Sequence, residues 1–256
     1  MAYAFRLRQG PKTLVRICFN DLPVVRQPSR GSKDDLRPAD HLLVPGKNTM
    51  RLEIWDGPPS PDSPSIRGIV ELTLHEIESE RMLGQIFWPH VAIELGLPAD
   101  KHLPFRHEVE LDIPETHPPP IYATSPREEI PPTGTPAQRE AVAKLHDALV
   151  RQDARAFLEG NALKLAENKR FYGATPNNDA ATLTRAYEAR FAKKLEVAAL
   201  DENVLRFEPR AEGRACYVTR TDGLPVLRAE VAGEPGQFFA ADPVFVKDRG
   251  DWTLLL

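Results

Sequence analysis

Seven histidines are the residues of this chain most suited to moving protons or binding a metal: His41, His75, His90, His102, His107, His117 and His146. None forms a tight pair at metal-ligand spacing. His75-Glu76 is followed by Ile77-Glu78-Ser79, so the second histidine of a zinc-binding helix is missing. His107 shares strand parity with Phe105 and Val109 and reads as a partly buried strand residue. His146 stands beside an apolar helical stripe of Val142, Leu145, Ala148 and Leu149. In a pocket with a tyrosine, Tyr172 or Tyr217, it could serve as acid or base. Its ring could equally bond a neighbouring backbone carbonyl or pack edge-on against a sheet. Trp55 closes a strand on the face opposite Met50, Leu52 and Ile54. It is a candidate contact for a sugar or a protein partner, or a ring covered by another part of the chain. Asp34, Asp35 and Asp40 share an oxygen-rich segment, but Arg30, Lys33 and Arg37 are interleaved, which favours a solvated loop over a calcium site.

Other chemistries lack their motifs. No glycine-rich nucleotide loop, serine nucleophile elbow or Cys-x-x-Cys pair occurs. Cys18 and Cys216 each lie among apolar strand residues and read as small buried hydrophobes. No metal and no cofactor is expected. The 33 basic and 37 acidic residues leave a net charge of -4, and neither half is basic, so nucleic acid is an unexpected partner. Arg206, Arg210, Arg214, Arg220 and Arg228 gather near the C-terminal end, with Glu208, Glu212 and Glu230 placed to screen them. No apolar run approaches the ~18 residues of a membrane span. Charges at Arg6 and Arg8 interrupt the place of a signal peptide's apolar region. A cytoplasmic protein is the expectation.

Proline divides the chain. Of 25 prolines, 8 fall within residues 114–136, where missing amide donors and restricted backbone make helix or central strand untenable. This stretch reads as a semi-rigid linker. Residues 1–113 then form an all-β domain, with period-two alternation at 3–8, 13–19, 50–55, 69–75, 83–88 and 105–113 and an apolar run at 41–44. Several such strands with turn signals suggest a sandwich. Val91 to Leu95 could be a short helix. Residues 137–256 form an α+β domain. Thr135-Pro136-Ala137-Gln138 is a capping box with proline at the first helical position. The helix it opens carries Glu140–Lys144 and Asp147–Arg151 pairs on its wet side. A second helix runs from 153 to 170, and a third is capped by Asn178. Strands follow at 204–209, 214–220, 225–232, 239–247 and 251–256.

The C-terminal order resembles the nuclear transport factor 2-like, or SnoaL-like, cone fold. The resemblance rests on the opening helix Ala141-Val142-Ala143-Lys144-Leu145-His146-Asp147-Ala148-Leu149, its continuation Asp153-Ala154-Arg155-Ala156-Phe157-Leu158, and the terminal strand Gly250-Asp251-Trp252-Thr253-Leu254-Leu255. It implies three helices packed on a curved antiparallel sheet, around a pocket lined by the first helix and hence near His146. Members of that superfamily include isomerases, dehydratases and non-catalytic binding domains, and cone folds commonly form homodimers. The N-terminal half resembles a galactose-binding-like, jelly-roll sandwich through Phe19-Asn20-Asp21-Leu22-Pro23-Val24 and Leu43-Val44-Pro45-Gly46-Lys47-Asn48-Thr49-Met50-Arg51-Leu52-Glu53-Ile54. Many such modules bind sugars and others only pack against neighbours.

The leading expectation is a non-enzymatic two-domain interaction protein with a protein partner, in an accessory, adaptor or toxin-immunity role of bacterial type. The alternatives are small-molecule binding or proton transfer in the cone pocket through His146, Tyr172 and Tyr217, and carbohydrate binding through Trp55.

Overall fold

Alternation of apolar and polar residues along the N-terminal half folds into strands β1 (Tyr3–Gln9), β2 (Thr13–Phe19), β3 (Leu22–Ser29), β4 (Lys33–Pro38), β5 (Gly46–Asp56), β6 (Val70–Glu76), β7 (Arg81–Trp88) and β8 (Phe105–Ile113). They are seen in a computed structural model that describes residues 2–29, 32–56, 69–89, 103–176, 178–193, 195–233 and 238–256. The helix expected at Val91 to Leu95 lies outside the described residues, as do His90 and His102. The chain divides into two compact units, Met1–Pro120 and Ile121–Leu256, so the division falls inside the proline-rich stretch.

In the first unit the strands form two antiparallel sheets, ordered β4-β1-β6-β7 and β3-β2-β5-β8. Phe5 of β1 and Phe19 of β2 bring ring centroids to 5.4 Å, so apolar faces of the two sheets share one core. At Gly84 on β7 the sheets approach closely. A Cβ there would sit 2.6 Å from Leu111 Cδ2 of β8. Residues 33–38, read from sequence as loop, pair with β1 from Ala4↔Pro38 to Gln9↔Lys33. Cross-strand pairing of Arg6 with Asp34 lets these charged residues lie on a wet sheet face. The apolar run 41–44 is not a strand. Asp40–Leu42 is a single 3-10 turn, its Asp40 carboxylate accepting from the Ala2 and Tyr3 amides.

Two asparagines close this unit's loops. Asn20 and Asp21 both adopt positive φ, at 49° and 66°, which gives the two-residue turn between β2 and β3 the twist that antiparallel strands need. The Asn20 side chain donates to Leu42 O and Asn48 Oδ1 and accepts from Thr49 N. Asn48, 2% exposed, accepts from Val44 N and donates to Val44 O and Gly46 O. The two motifs that carry the galactose-binding-like resemblance therefore meet in one hydrogen-bonded clamp. Beyond β8, His117 is buried, edge-on to Tyr3, with its Nε2–H donated to Asp40 O at 2.9 Å.

The second unit contains α1 (Ile121–Thr124), α2 (Pro136–Val150), α3 (Ala154–Gly160), α4 (Ala162–Tyr172) and α5 (Ala180–Phe191). Its strands are β9 (Leu195–Val197), β10 (Leu205–Arg210), β11 (Ala215–Arg220), β12 (Leu227–Val231), β13 (Phe238–Ala241), β14 (Val244–Asp248) and β15 (Asp251–Leu254). The capping box is formed: Gln138 N donates to Thr135 Oγ1, and Thr135 N donates to Gln138 Oε1. The helix expected over 153–170 breaks at Gly160-Asn161, where the Asn161 side chain takes the Phe157 carbonyl. The cap of α5 is Asp179 rather than Asn178. Asn178 instead holds the preceding turn through Thr175 N and Gly173 O.

The C-terminal strands form two sheets, β10-β11-β14-β15 and β13-β12-β9, rather than one. Prolines explain the break. Pro225 and Pro243 have no amide to continue a ladder, and the amide of Val226 is taken by the Asp242 carboxylate instead of by a strand. Leu145, Phe157, Phe191, Phe207, Phe245 and Leu254 belong to one apolar core between helices and strands. Residues 125–134 run beside β10. Phe207 N donates to Pro132 O, Glu128 N donates to Gly213 O, and Lys247 pairs with Glu128 at 2.7 Å. Tyr122, Ser125 and Ile130 of the proline-rich stretch are buried.

Replacing Asn48 by Ala removes the side-chain partner of the Val44 amide and of the Val44 and Gly46 carbonyls, and one of Asn20's partners, in a half-buried turn. The expected loss is about 3 kcal/mol of unfolding free energy, read from urea denaturation, with the midpoint falling and the slope unchanged.

Candidate functional site

The residues singled out from sequence stand on separate elements. His146 lies on α2, half-exposed, with Nε2 2.9 Å from the Ala198 carbonyl just past β9. A carbonyl only accepts, so Nε2 carries a proton and the ring ties helix to strand. His146 makes no hydrogen bond to either tyrosine among the described residues. Tyr217 on β11 is buried and donates to Asp242 Oδ2 at 3.4 Å. Its neighbours Cys216 and Val218 join the core that α2 packs on, and strand alternation turns Tyr217 to the other face of the sheet. Tyr172 ends α4, half-buried beside Phe171. A His–Tyr pair is thus not assembled.

Trp55 is half-buried on the outer face of the β3-β2-β5-β8 sheet, and the Arg16 guanidinium lies 5.1 Å from its ring centroid. Arg16 also pairs with Glu53, itself paired with Arg51 at 3.1 Å. One face of the indole is therefore already occupied by a cation. The acidic residues 34, 35 and 40 are dispersed among Arg6, Arg37 and backbone amides. The Arg6 hydrogen bond holds the Asp34 carboxyl below the usual carboxylate range. Among the described residues no group of three or more His, Cys, Asp or Glu side chains gathers as a metal-ligand set. No helix among them is long and apolar enough to cross a membrane.

The feature that sequence reading missed is a groove between α2, α3 and β15, with a volume of about 400 Å³. Leu145, Phe245 and Leu254, all buried, form its floor, with Ala141 and Ala156 beside them. Trp252 is a half-exposed wall. The four charged lining residues, Lys144, Asp147, Arg151 and Glu159, are exposed and so stand at the mouth. Lys144 pairs with Glu140 at 2.8 Å and Glu159 with Arg155 at 3.2 Å. The expected Asp147–Arg151 pair is not made: neither side chain has a hydrogen bond or ion pair with the described residues. Helix α2 ends at Val150, so Arg151 is its C-cap rather than a member of its last turn. A faint signal was present. Lys144, Asp147 and Arg151 recur at helical spacing beside Ala141, whose short side chain leaves space among them.

Compared with protein families, with curated proteins and with solved structures, the chain matches none of them.

Both cysteines are poor nucleophiles. Burial pushes the Cys18 thiol up to about 11, despite an Arg51 hydrogen bond, and the Cys216 thiol up to about 12. The native protein at pH 8 should leave both unlabelled by a disulfide reagent and react only on unfolding. Because the folded-state values lie above the ordinary 9.0, their contribution to stability is whole below pH 9 and is lost as the pH rises toward 11 and 12. Denaturation series should show wild type losing stability more steeply over that window than Cys216→Ala.

Proposed function

We propose that this is a non-enzymatic binding protein that holds a small molecule in the groove between α2, α3 and β15. One observation carries the reading. The three segments behind the cone-fold resemblance, namely the opening helix, its continuation and the terminal strand, together line a space of about 400 Å³ with an apolar floor and a charged mouth. Small-molecule sites are of about 300–1,000 Å³ and combine an apolar lining with a few convergent polar groups. A nuclear transport factor 2-like arrangement for the second unit is supported by helices preceding antiparallel strands around one core. A sandwich for the first unit is supported by its two sheets meeting at Phe5, Phe19 and Gly84. Between a protein partner and a small ligand, the groove favours the ligand. Between binding and proton transfer, the separate placements of His146 and Tyr217 favour binding.

A panel of small amphipathic molecules, screened by thermal shift and followed by calorimetric titration, tests this. A ligand in the groove should raise the melting temperature of wild type, by the equivalent of about 2.7 kcal/mol at a hundredfold excess over Kd. The shift should vanish in Ala156→Phe, whose ring fills the groove, and shrink in Trp252→Ala. Ligands that bind both variants as they bind wild type would place the site elsewhere and end the proposal.

A further inference from the structure

Resting on that reading, we propose that the groove takes a zwitterion, a free α-amino acid with an apolar side chain. The charges at the mouth decide this. Lys144 and Glu159 each have an opposite charge one turn away on their own helix, so each already has a partner. Asp147 and Arg151 remain, one negative and one positive, both lining the groove and both without a partner among the described residues. A ligand that is only an anion meets Arg151 favourably and Asp147 unfavourably, and a cation meets the reverse. A molecule carrying both charges satisfies both.

Spacing agrees. Asp147 and Arg151 are four residues apart, and the Arg151 amide donates to the Asp147 carbonyl at 2.9 Å, so their backbones lie about one helical turn of 5.4 Å apart and a ligand with its two charges close together can reach both. In an α-amino acid the ammonium and carboxylate share one carbon. The carboxylate would take the planar fork of Arg151, which binds two oxygens at once, and the ammonium would donate to Asp147. The side chain then points at Leu145, Phe245 and Leu254, with the Trp252 indole along its flank. Glu140 and Arg155 give Lys144 and Glu159 nearby partners of their own, which Asp147 and Arg151 lack among the described residues.

Calorimetry with L-phenylalanine, phenylethylamine and 3-phenylpropionate separates the parts, on wild type, Arg151→Gln and Asp147→Asn. Both substitutions are at exposed positions and should leave the circular dichroism unchanged. Phenylalanine should bind wild type best and lose about ten- to a hundredfold in either variant, the loss of one charge-assisted bond. Phenylethylamine, which has no carboxylate, should lose nothing in Arg151→Gln and bind it somewhat more tightly, because a repelling cation is gone. Phenylpropionate, which has no ammonium, should lose nothing in Asp147→Asn and bind it somewhat more tightly, because a repelling carboxylate is gone. If the three bind wild type alike and neither substitution matters, or if none binds while other molecules do so in an Ala156→Phe-sensitive way, the zwitterion is wrong and the groove stands. If Ala156→Phe alters the binding of no ligand at all, the groove falls with it.

Discussion

Helices α2 and α3 meet at a glycine, and the second unit is arranged around that contact. A Cβ on Gly160 would lie 2.6 Å from Leu145 Cδ2, a separation that no side chain tolerates without movement of its neighbour. The absence of one lets Leu145 settle into the core with Phe245 and Leu254, 3% exposed. It also sets the distance between the helices. Ala141 and Ala156 flank the contact with short side chains, so backbones that approach closely at one point leave room beside it. The groove follows from the same small residues that make the helix pairing tight. The break after Gly160 belongs to this geometry too, because Asn161 satisfies the Phe157 carbonyl where the helix stops.

Electrostatics divides into local and structural parts. Many ion pairs join close neighbours in sequence: Asp35 with Arg37, Glu140 with Lys144, Arg155 with Glu159, Asp222 with Arg220, Glu230 with Arg228. Such solvent-screened pairs contribute little to stability. They do alter charge states, as where the Arg220 hydrogen bond pushes Asp222 down to about 2. They also dissolve the arginine cluster of the C-terminal strands: Arg210 pairs with Glu208, and Arg214 donates to the Ser125 carbonyl. Glu53 is different. Its side chain is 9% exposed, between Arg16 and Arg51 on the β2-β5 pair. Arg51 also pairs with Asp21 and Glu108, so replacing Arg51 takes one cation from three carboxylates, one of them buried, which is more damaging than losing a surface pair.

Legibility in the sequence followed the range of the interactions involved. The Thr135 capping box and the alternation of β1, β2 and β5 depend on residues within a few positions, and both were readable. The strand at 33–38 was not, because its charged residues are stabilised by β1, some thirty residues earlier. The division of the C-terminal strands into two sheets hinges on Asp242 taking the Val226 amide, a bond across 16 positions. The candidate site shows the same limit. His146 was visible as a polar residue beside an apolar stripe, but only the fold supplies the Ala198 carbonyl that occupies it. The groove needs α2, α3 and β15 together, and nothing in the spacing of Trp252 announces that it will face Lys144's helix.

The stretch rich in proline has a second consequence. An outer strand such as β10 presents unpaired amides and carbonyls to any chain that comes near. Here the Phe207 amide is already given to Pro132, while Gly213, with no Cβ to intervene, lets Glu128 approach within bonding distance of its carbonyl. Proline suits this work, since a segment that can accept but not fully donate covers an edge without offering a new one. Residues 125–134 are thus an edge guard, and they belong to the sheet they cover. A fragment begun at Thr135 would carry α2 with its cap and every later strand, yet expose β10 to self-association. One begun at Ile121 would keep its own protection.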